Sequence, residues 1–169
     1  MDLIEAIRTR RSIRQFQNLP VGEDQVTAII EAAMLAPSAG NQQPWHFIVI
    51  SDRAKLDAIP TFHPHSKMVL QAPVAILICG DPTGTPWPDF WVQDCSAATE
   101  NALLAARDLG LGSVWAGIYP VAERMTGFRN LLAIPDHVYP FSLIPLGWPI
   151  GEFQTAERFK AERIHRDGW

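Results

Sequence analysis

The sequence predicts a single α+β domain in which helices pack on a small central sheet. Segments with helical periodicity alternate along the chain with short runs that are rich in aromatic and β-branched residues. The chain has 169 residues and a hydrophobic content of 47%, which suits one hydrophobic core and is too short for two domains. No internal repeat, linker or low-complexity segment interrupts this pattern.

Two helices are predicted before the first strand. The first begins at Asp2, whose side chain suits an N-cap, and the second lies between Pro20 and Pro37. Their apolar positions recur at helical spacing and are Leu3, Ile4 and Ile7 in the first helix and Val26, Ile29, Ile30, Ala33 and Met34 in the second.

Four strands are predicted, at Trp45–Ile50, Val74–Cys79, Ser113–Ile118 and Tyr139–Leu146. The second is apolar at every position, so we expect it to be buried on both faces of the sheet. The fourth keeps a strand pattern despite its two prolines, a residue that sheets normally confine to edges and bulges.

Three further helices are predicted near Asp52–Ile59, from Asp89 to Leu109 and at Ala122–Leu132. Small side chains on the longest of them should allow close approach of another helix or of a flat ligand. Gly110 suits the C′ position that ends this helix.

The segment from Gly151 to the end is polar and charged, and no core role is apparent for it. It also carries Phe153, Phe159 and Trp169. A terminus with such aromatic residues is expected to wrap around a neighbouring subunit, which indicates a homodimer.

Charge and hydropathy exclude several classes of protein. Fourteen basic and eighteen acidic residues give a net charge of −4, which argues against nucleic acid or anionic lipid as a partner. The first turns carry several charged residues, and the longest apolar run, Val74–Cys79, is far shorter than the ~20 residues of a membrane span. We therefore expect a cytoplasmic protein without a membrane or nucleic-acid partner.

Cysteine and histidine spacing gives no sign of a metal site or a disulfide framework. Cys79 and Cys95 lie in apolar and helical patterns and are expected to be buried thiols. His63-Pro64-His65 has no carboxylate or cysteine at a ligand spacing, so a surface turn is the favoured interpretation. Asp94 and Glu100 are six residues apart and do not form an acid–base pair on one helix face.

The segment Arg10-Arg11-Ser12-Ile13-Arg14 places three guanidinium groups and a hydroxyl within five residues. The planar arginine fork suits bidentate contact with phosphate oxygens, which indicates a phosphate site. The alternative is a solvated basic patch, because positive charge is favourable at a helix C-terminus in any case.

The loop Pro37–Pro44 combines a hydroxyl, a glycine and three carboxamides just before an aromatic strand. Carboxamides supply both donors and acceptors, as the edge of a heteroaromatic ring requires. The alternative is an ordinary polar connection between a helix and a strand.

The glycines of Gly110–Gly117 do not form a dinucleotide fingerprint, because Trp115 occupies the third glycine position and a helix precedes the motif. A glycine at the strand end Ala116-Gly117 nevertheless allows backbone to approach a ligand closely.

Taken together, Arg10–Phe16, Ala36–Trp45, the small-residue helix around Asp94–Gly110 and Arg163-Ile164-His165 resemble the nitroreductase family of FMN-dependent enzymes. The resemblance covers essentially the whole chain in the right order. It implies an α+β fold with a central, mostly antiparallel sheet, and an interlocked homodimer with two FMN sites across the interface. Residues 1–169 would then form one FMN-binding domain whose tail, about 151–169, wraps the partner.

The resemblance also implies site residues. Phosphate, ribityl and ring-edge contacts would come from Arg10, Arg11, Ser12 and Arg14, and the other subunit would line the flavin with Pro37, Ser38, Ala39, Gly40 and Asn41. Backbone at Ala116 and Gly117 would face the flavin N5 and O4 edge, although the glutamate–glycine pair of longer members is absent. Lys67 would face the pyrimidine side, and Arg158, ahead of Lys160 and Arg163, the phosphate.

The implied activity is alternating hydride transfer, in which NADH or NADPH reduces FMN and a nitroaromatic, quinone or similar small acceptor then takes its place. The chain has few residues for a lid, so an open pocket is expected, and Phe62, Trp87, Phe90 and Trp91 could supply apolar contacts or belong to the core. The alternatives are a flavin-cleaving or dehalogenating enzyme of the same fold and a non-catalytic flavin sensor.

Overall fold

The computed structural model describes all 169 residues. Five helices are present, α1 (Leu3–Thr9), α2 (Glu23–Met34), α3 (Arg53–Ala58), α4 (Trp91–Asp108) and α5 (Ala122–Leu132). Five strands are present, β1 (Trp45–Ile50), β2 (Val74–Gly80), β3 (Gly112–Ser113), β4 (Ala116–Gly117) and β5 (Tyr139–Gly147). Short 3₁₀ turns occupy Ala39–Asn41, Ile59–Thr61, Pro64–Leu70, Pro88–Phe90 and Ala161–Arg163. No helix has the length and apolar character needed to cross a membrane.

The strands form one sheet in the order β1-β2-β5-β3, and β4 also pairs with β5. Every strand pair is antiparallel. The predicted α+β class, with an antiparallel sheet flanked by helices, is therefore confirmed.

The predicted strand at 113–118 is wrong in one respect, because two short strands, β3 and β4, replace it. Both pair with β5, and continuing their common register places Val114 opposite Pro145. Proline has no N–H to donate to a ladder, so the break lies opposite a residue that cannot complete the pairing. The other proline of the strand, Pro140, lies beside a register shift between β2 and β5, where sheets tolerate proline.

Helices cover the sheet on both faces, which gives three layers. Val74, Ile76 and Ile78 of β2 point into a core shared with α2 and α4. The intervening Ala75, Leu77 and Cys79 point into a second core shared with α3 and α5. Every residue of β2 is buried, so the expectation from its continuous apolar run is confirmed.

The long helix α4 packs against α2 through small side chains, with Ala98, Ala102 and Ala106 all buried in the first core. Asn101 adds a hydrogen bond between the two helices, because its Nδ2 donates to the carbonyl of Ala32 at 3.1 Å. The predicted close approach of a second helix is thus confirmed. α4 begins at Trp91 instead of Asp89, because residues Pro88–Phe90 form a 3₁₀ turn first.

The two termini meet the sheet at its β3 edge. Ser12 forms a parallel bridge with Ser113, and Phe16 forms an antiparallel bridge with Pro149. Beyond Gly151 no residue is buried, and the tail touches its own chain where the Arg107 guanidinium lies 3.9 Å from the centre of the Phe153 ring. The division into one domain and a partner-wrapping tail remains a prediction.

Candidate functional site

The basic segment Arg10–Arg14 lies along the edge of the sheet. The helix α1 ends at Thr9, and the chain then becomes extended so that the Ile13 N–H donates to the carbonyl of Ser113 at 2.9 Å. Ser12 lies beside β3, with which it forms a bridge at Ser113. The strand β4, which contains Ala116 and Gly117, pairs with β5 on the same side as β3. Two regions predicted separately from the sequence therefore share one edge.

The structure places Arg10, Arg11 and Arg158 in one cleft of about 740 Å³, which we call the arginine cleft. It lies between α1, α4 and the tail, and its other lining residues are Ile7, Arg8, Glu100, Thr155, Ala156, Glu157 and Phe159. Four arginines thus face two glutamates in a chain whose net charge is −4. The charge balance of this cleft opposes that of the whole protein and favours an anionic ligand.

The arginines of this cleft differ in their contacts. Arg11 donates to the carbonyl of Arg8 at 2.9 Å and to that of Arg10, so it caps the C-terminal end of α1. Arg10 pairs with Glu100 at 3.1 Å between Nε and Oε1. The helix-end interpretation of the basic run is therefore correct for Arg11, while Arg158 remains an exposed side chain at the rim.

A second cleft, of about 320 Å³, brings Arg14 and Lys67 together, and we call it the lysine cleft. Its other lining residues are Gln15, Pro64, His65, Met68 and Gln71. Arg14 donates to the carbonyl of Ser12 at 3.4 Å, and both cationic side chains are exposed. Two positive charges predicted for the same part of a ligand thus lie on one surface.

Backbone at the end of β4 is open to approach. A Cβ added at Gly117 would meet no atom within 4 Å, and Gly117 itself is partly exposed. Arg124 fixes this strand end, because its Nη1 donates to the Gly117 carbonyl at 2.7 Å. Ala116, the other residue of β4, is buried and pairs with Leu143 of β5.

The loop containing Pro37, Ser38, Ala39, Gly40 and Asn41 lines neither of the two clefts. It lies against the start of α4, where the Ala39 N–H donates to Asp94 Oδ1 at 2.9 Å. The structure of one chain therefore places the Arg10–Arg14 segment beside β3, and it leaves the Pro37–Asn41 loop outside both clefts.

Sequence reasoning missed the residues that hold the loop and the cleft. The sequence excludes an acid–base pair of Asp94 and Glu100 and assigns neither residue a role, whereas in the structure Asp94 contacts the loop and Glu100 contacts Arg10. These partners are 55 and 90 residues away along the chain. No local pattern marks such a pairing, because these acidic side chains lie on a helix that carries other polar residues as well.

The expectation of a surface turn at His63-Pro64-His65 is wrong for its first residue. His63 is 1% exposed, while His65 is exposed. Burial, together with the nearby Arg124 guanidinium, lowers the pKa of His63 to about 4. No group of three or more His, Cys, Asp and Glu side chains in the structure has a metal-binding arrangement.

Both thiols are buried, as expected, and burial raises the pKa of Cys79 to about 12 and also raises that of Cys95. Neither thiol is therefore ionised at neutral pH.

The four aromatic residues considered for substrate contact divide into two groups. Trp91 is buried and stacks on Tyr139 with ring centres 5.3 Å apart, and Phe62 packs edge-on against the buried Phe128. Both belong to the core. Trp87 and Phe90 are about half exposed and are the two that a ligand could reach.

The sequence and the fold both match those of known proteins. The model of the "Nitroreductase family" matches residues 7–148. The "Putative NADH dehydrogenase/NAD(P)H nitroreductase" of Methanothermobacter thermautotrophicus is 52% identical, and the alignment covers 100% of this chain and 88% of that protein.

Solved structures give the same result. A protein of the same name from Bacteroides thetaiotaomicron superposes with a TM-score of 0.94 at 37% identity, covering 99% of this chain and 98% of that one. A "putative nitroreductase in complex with FMN" from Desulfovibrio desulfuricans superposes with a TM-score of 0.84 at 31% identity, covering 100% and 98%.

Proposed function

The chain belongs to the nitroreductase family, and from that premise we propose that it is an FMN-dependent oxidoreductase that uses NADH or NADPH. Its acceptors are nitroaromatic, quinone or similar small molecules. Relatives named for NAD(P)H and a related structure solved with FMN support the cofactor and the donor.

The observation that carries the proposal is the arginine cleft. FMN has a phosphate at one end, and this cleft concentrates arginines that are far apart in sequence, Arg10 and Arg158, within an acidic chain. The lysine cleft supplies further positive charge near the same segment through Arg14 and Lys67. A ligand with an anionic end and a polar heteroaromatic ring fits this distribution of donors.

The assignment of contacts follows from these positions. The phosphate and ribityl chain would contact Arg10, Arg11, Ser12 and Arg158, and the pyrimidine side of the ring would lie near Arg14 and Lys67. Backbone N–H groups at Ala116 and Gly117 would reach the ring edge because no side chain of the protein fills the space at Gly117. Pro37, Ser38, Ala39, Gly40 and Asn41 would complete the site from the partner subunit.

FMN supplies the hydride chemistry when it is bound, and the protein supplies orientation and charge. Cations at Arg14 and Lys67 would hold the pyrimidine side of the ring and would favour negative charge there. Hydride transfer itself needs no side-chain acid or base. Both nicotinamide and acceptor would use the same open face in turn.

A homodimer is part of the proposal, because the loop Pro37–Asn41 lines neither cleft of its own chain. Exposed apolar side chains also remain on α1, at the end of α2 and in the tail; they are Leu3, Ile4, Ile7, Met34, Leu35, Phe159, Ile164 and Trp169. Burying these groups between two subunits would be favourable.

A flavin-binding experiment tests the proposal. The purified protein should be yellow, and Arg10→Ala combined with Arg14→Ala should lose the colour while the far-UV circular dichroism is unchanged. Lys55→Ala together with Arg166→Ala removes the same charge from exposed positions outside both clefts and should keep the flavin. A wild-type protein that carries no flavin and takes up no added FMN would contradict the proposal.

An anaerobic titration with NADH and then NADPH tests the activity. Flavin absorbance should bleach with at least one donor and return when a quinone or nitroaromatic acceptor is added. Binding of FMN without bleaching would indicate the non-catalytic sensor instead.

A further inference from the structure

The loop from Ser38 to Gln43 has an unusual backbone and a few hydrogen bonds of its own, from the Asn41 and Gln42 N–H groups to the carbonyls of Ser38 and Ala39 and from the Gln43 N–H to Ser38 Oγ. Gly40, Asn41 and Gln43 have φ angles of 54°, 56° and 48°, all in the left-handed region. Residues with a Cβ are disfavoured there, so two of the three positions are strained. A loop of this kind keeps one conformation only when surrounding groups determine it.

The buried carboxylate of Asp94 supplies the strongest of these determinants. Its Oδ1 accepts from the Ala39 N–H at 2.9 Å, and its Oδ2 accepts from Gln42 Nε2 at 2.7 Å. Asp94 is 4% exposed and belongs to no ion pair of the structure. An acidic residue in the first turn of a helix commonly serves that helix, but both of these bonds reach out to the loop.

Trp87 fixes the direction of the Gln42 amide. Gln42 Nε2 donates to the Trp87 carbonyl at 3.0 Å, and the Trp87 N–H donates to Gln42 Oε1 at 3.2 Å. If the amide oxygen and nitrogen were exchanged, both contacts with Trp87 would be lost, because donor would face donor and acceptor would face acceptor. The Gln42 NH₂ group is therefore the group that faces Asp94. The Trp87 indole also lies against Gly40, since an added Cβ there would come within 2.7 Å of its Nε1.

Both groups that face Asp94 are therefore obligatory donors, one from the backbone and one from an amide of fixed direction. An ionised carboxylate, which only accepts, satisfies both. An asparagine would present one oxygen and one NH₂ group, and the NH₂ would face a donor. The site distinguishes Asp from Asn although the two side chains have the same shape.

We infer that Asp94 is a positioning residue that holds the Ser38–Gln43 loop in the conformation required for flavin binding. The inference rests on the proposed function, in which this loop lines the flavin. Asp94 acts through the loop and does not touch the cofactor.

The experiment compares Asp94→Asn with a matched control, Thr99→Val. Thr99 is buried on the same helix, and its hydroxyl bonds to the Cys95 carbonyl and to Ser142 Oγ, away from the loop. Flavin is removed reversibly, and FMN affinity is measured by quenching of FMN fluorescence. We expect Asp94→Asn to weaken FMN binding about 10- to 100-fold, as for a lost hydrogen bond to a charged group, and Thr99→Val to change it less than about 3-fold.

Two further measurements distinguish loss of loop positioning from general destabilisation of the protein. The visible circular dichroism of the bound flavin should change in Asp94→Asn and not in Thr99→Val. Hydrogen exchange at the backbone amides of the Ser38–Gln43 loop in the apoprotein should accelerate in Asp94→Asn alone, because one of the two donors of the loop, the Ala39 N–H or the Gln42 amide, loses its acceptor.

Gln42→Leu tests the same network from the loop side, and it keeps the inference falsifiable if Asp94→Asn fails to fold. Gln42→Leu should also weaken FMN binding. The double variant Asp94→Asn with Gln42→Leu should bind FMN no more weakly than Asp94→Asn alone. The inference is overturned if both single variants bind FMN within about 3-fold of wild type. If wild type binds no FMN, the proposed function fails, and exchange at the backbone amides of the Ser38–Gln43 loop decides whether Asp94 holds the loop.

Discussion

His63 is a buried side chain whose two ring nitrogens have no hydrogen-bond partner. It lies close enough to the Arg124 guanidinium for that charge to depress its pKa. A neutral ring is the form that such a setting tolerates, because an imidazolium there would be both desolvated and repelled. The residue therefore links the stability of the fold to pH.

We predict that His63 makes the protein less stable in mild acid. Above pH 6.5 the ring is neutral in both folded and unfolded states. Between pH 6.5 and about 4 the unfolded chain binds a proton that the folded protein does not, so the free energy of unfolding falls as pH falls. The full loss is on the order of 3 kcal/mol, and below pH 4 it grows no further.

Urea unfolding at several pH values measures this dependence. His63→Leu should flatten the pH dependence between pH 6.5 and 4 relative to wild type. His65→Leu alters the exposed neighbour, whose charge is a smaller cause of the low pKa of His63, and should change the pH dependence much less than His63→Leu does. An equal slope in wild type and His63→Leu would contradict the prediction.

Replacing glycine by alanine should affect mainly FMN binding at Gly117 and mainly stability at Gly80. Gly117→Ala adds a Cβ where the protein has open space, so we expect little change in stability but FMN binding weaker by about 10-fold, comparable to one lost hydrogen bond. Gly80→Ala would bring a Cβ to within 2.2 Å of the Trp91 ring and should destabilise the fold by about 1–3 kcal/mol. Thermal melting and fluorescence titration separate the two effects.

At the scale of elements, Arg53 joins the short helix α3 to the segment that precedes β2. Its guanidinium donates to the carbonyls of Val69 at 2.6 Å and Ala72 at 2.9 Å, and it also pairs with Asp57. The segment carries Lys67 of the lysine cleft, so this contact helps to place a proposed binding residue.

We expect Arg53→Ala to destabilise the protein by about 1–2 kcal/mol, because two partly buried carbonyls lose their donor. Lys55→Ala on the same helix removes an equal charge without such contacts and should change stability by less than about 0.5 kcal/mol. Chemical unfolding of both variants checks the difference, and equal effects would mean that Arg53 acts only through its charge.

At the scale of the whole molecule, an apolar groove of about 370 Å³ lies between α1, α2 and α4, with Leu3 and Leu35 exposed at 64% and 83%. Seven of its nine lining residues are hydrophobic, which is the character of a surface that a subunit covers. The proposed dimer would bury this groove.

Leu3→Glu combined with Leu35→Glu should convert the dimer to monomers and release the flavin, because the loop Pro37–Asn41 would no longer meet the partner's arginine cleft. Light scattering and flavin absorbance measure the two outcomes together. Val49→Glu changes another exposed apolar side chain, on the edge strand β1, and should leave both unaffected. A double variant that stays dimeric and yellow would exclude this groove as the interface.

The sequence by itself determined the class of fold and most of its elements. Helices such as α2 and strands such as β2 follow from periodicity and from continuous apolar runs, which are local properties. The family, too, was recognisable from two short motifs near Arg10–Arg14 and Pro37–Asn41.

Only the tertiary structure decided how distant residues meet. Four features depend on segments that are remote along the chain. They are the burial of His63, the break in pairing opposite Pro145, the shared cleft of Arg10 and Arg158, and the hydrogen bond from Ala39 to Asp94. Periodicity reports which face of an element is apolar, but it carries no information about which other element lies against that face. That partner is set by packing of the whole chain, and so are the contacts that shape the proposed flavin site.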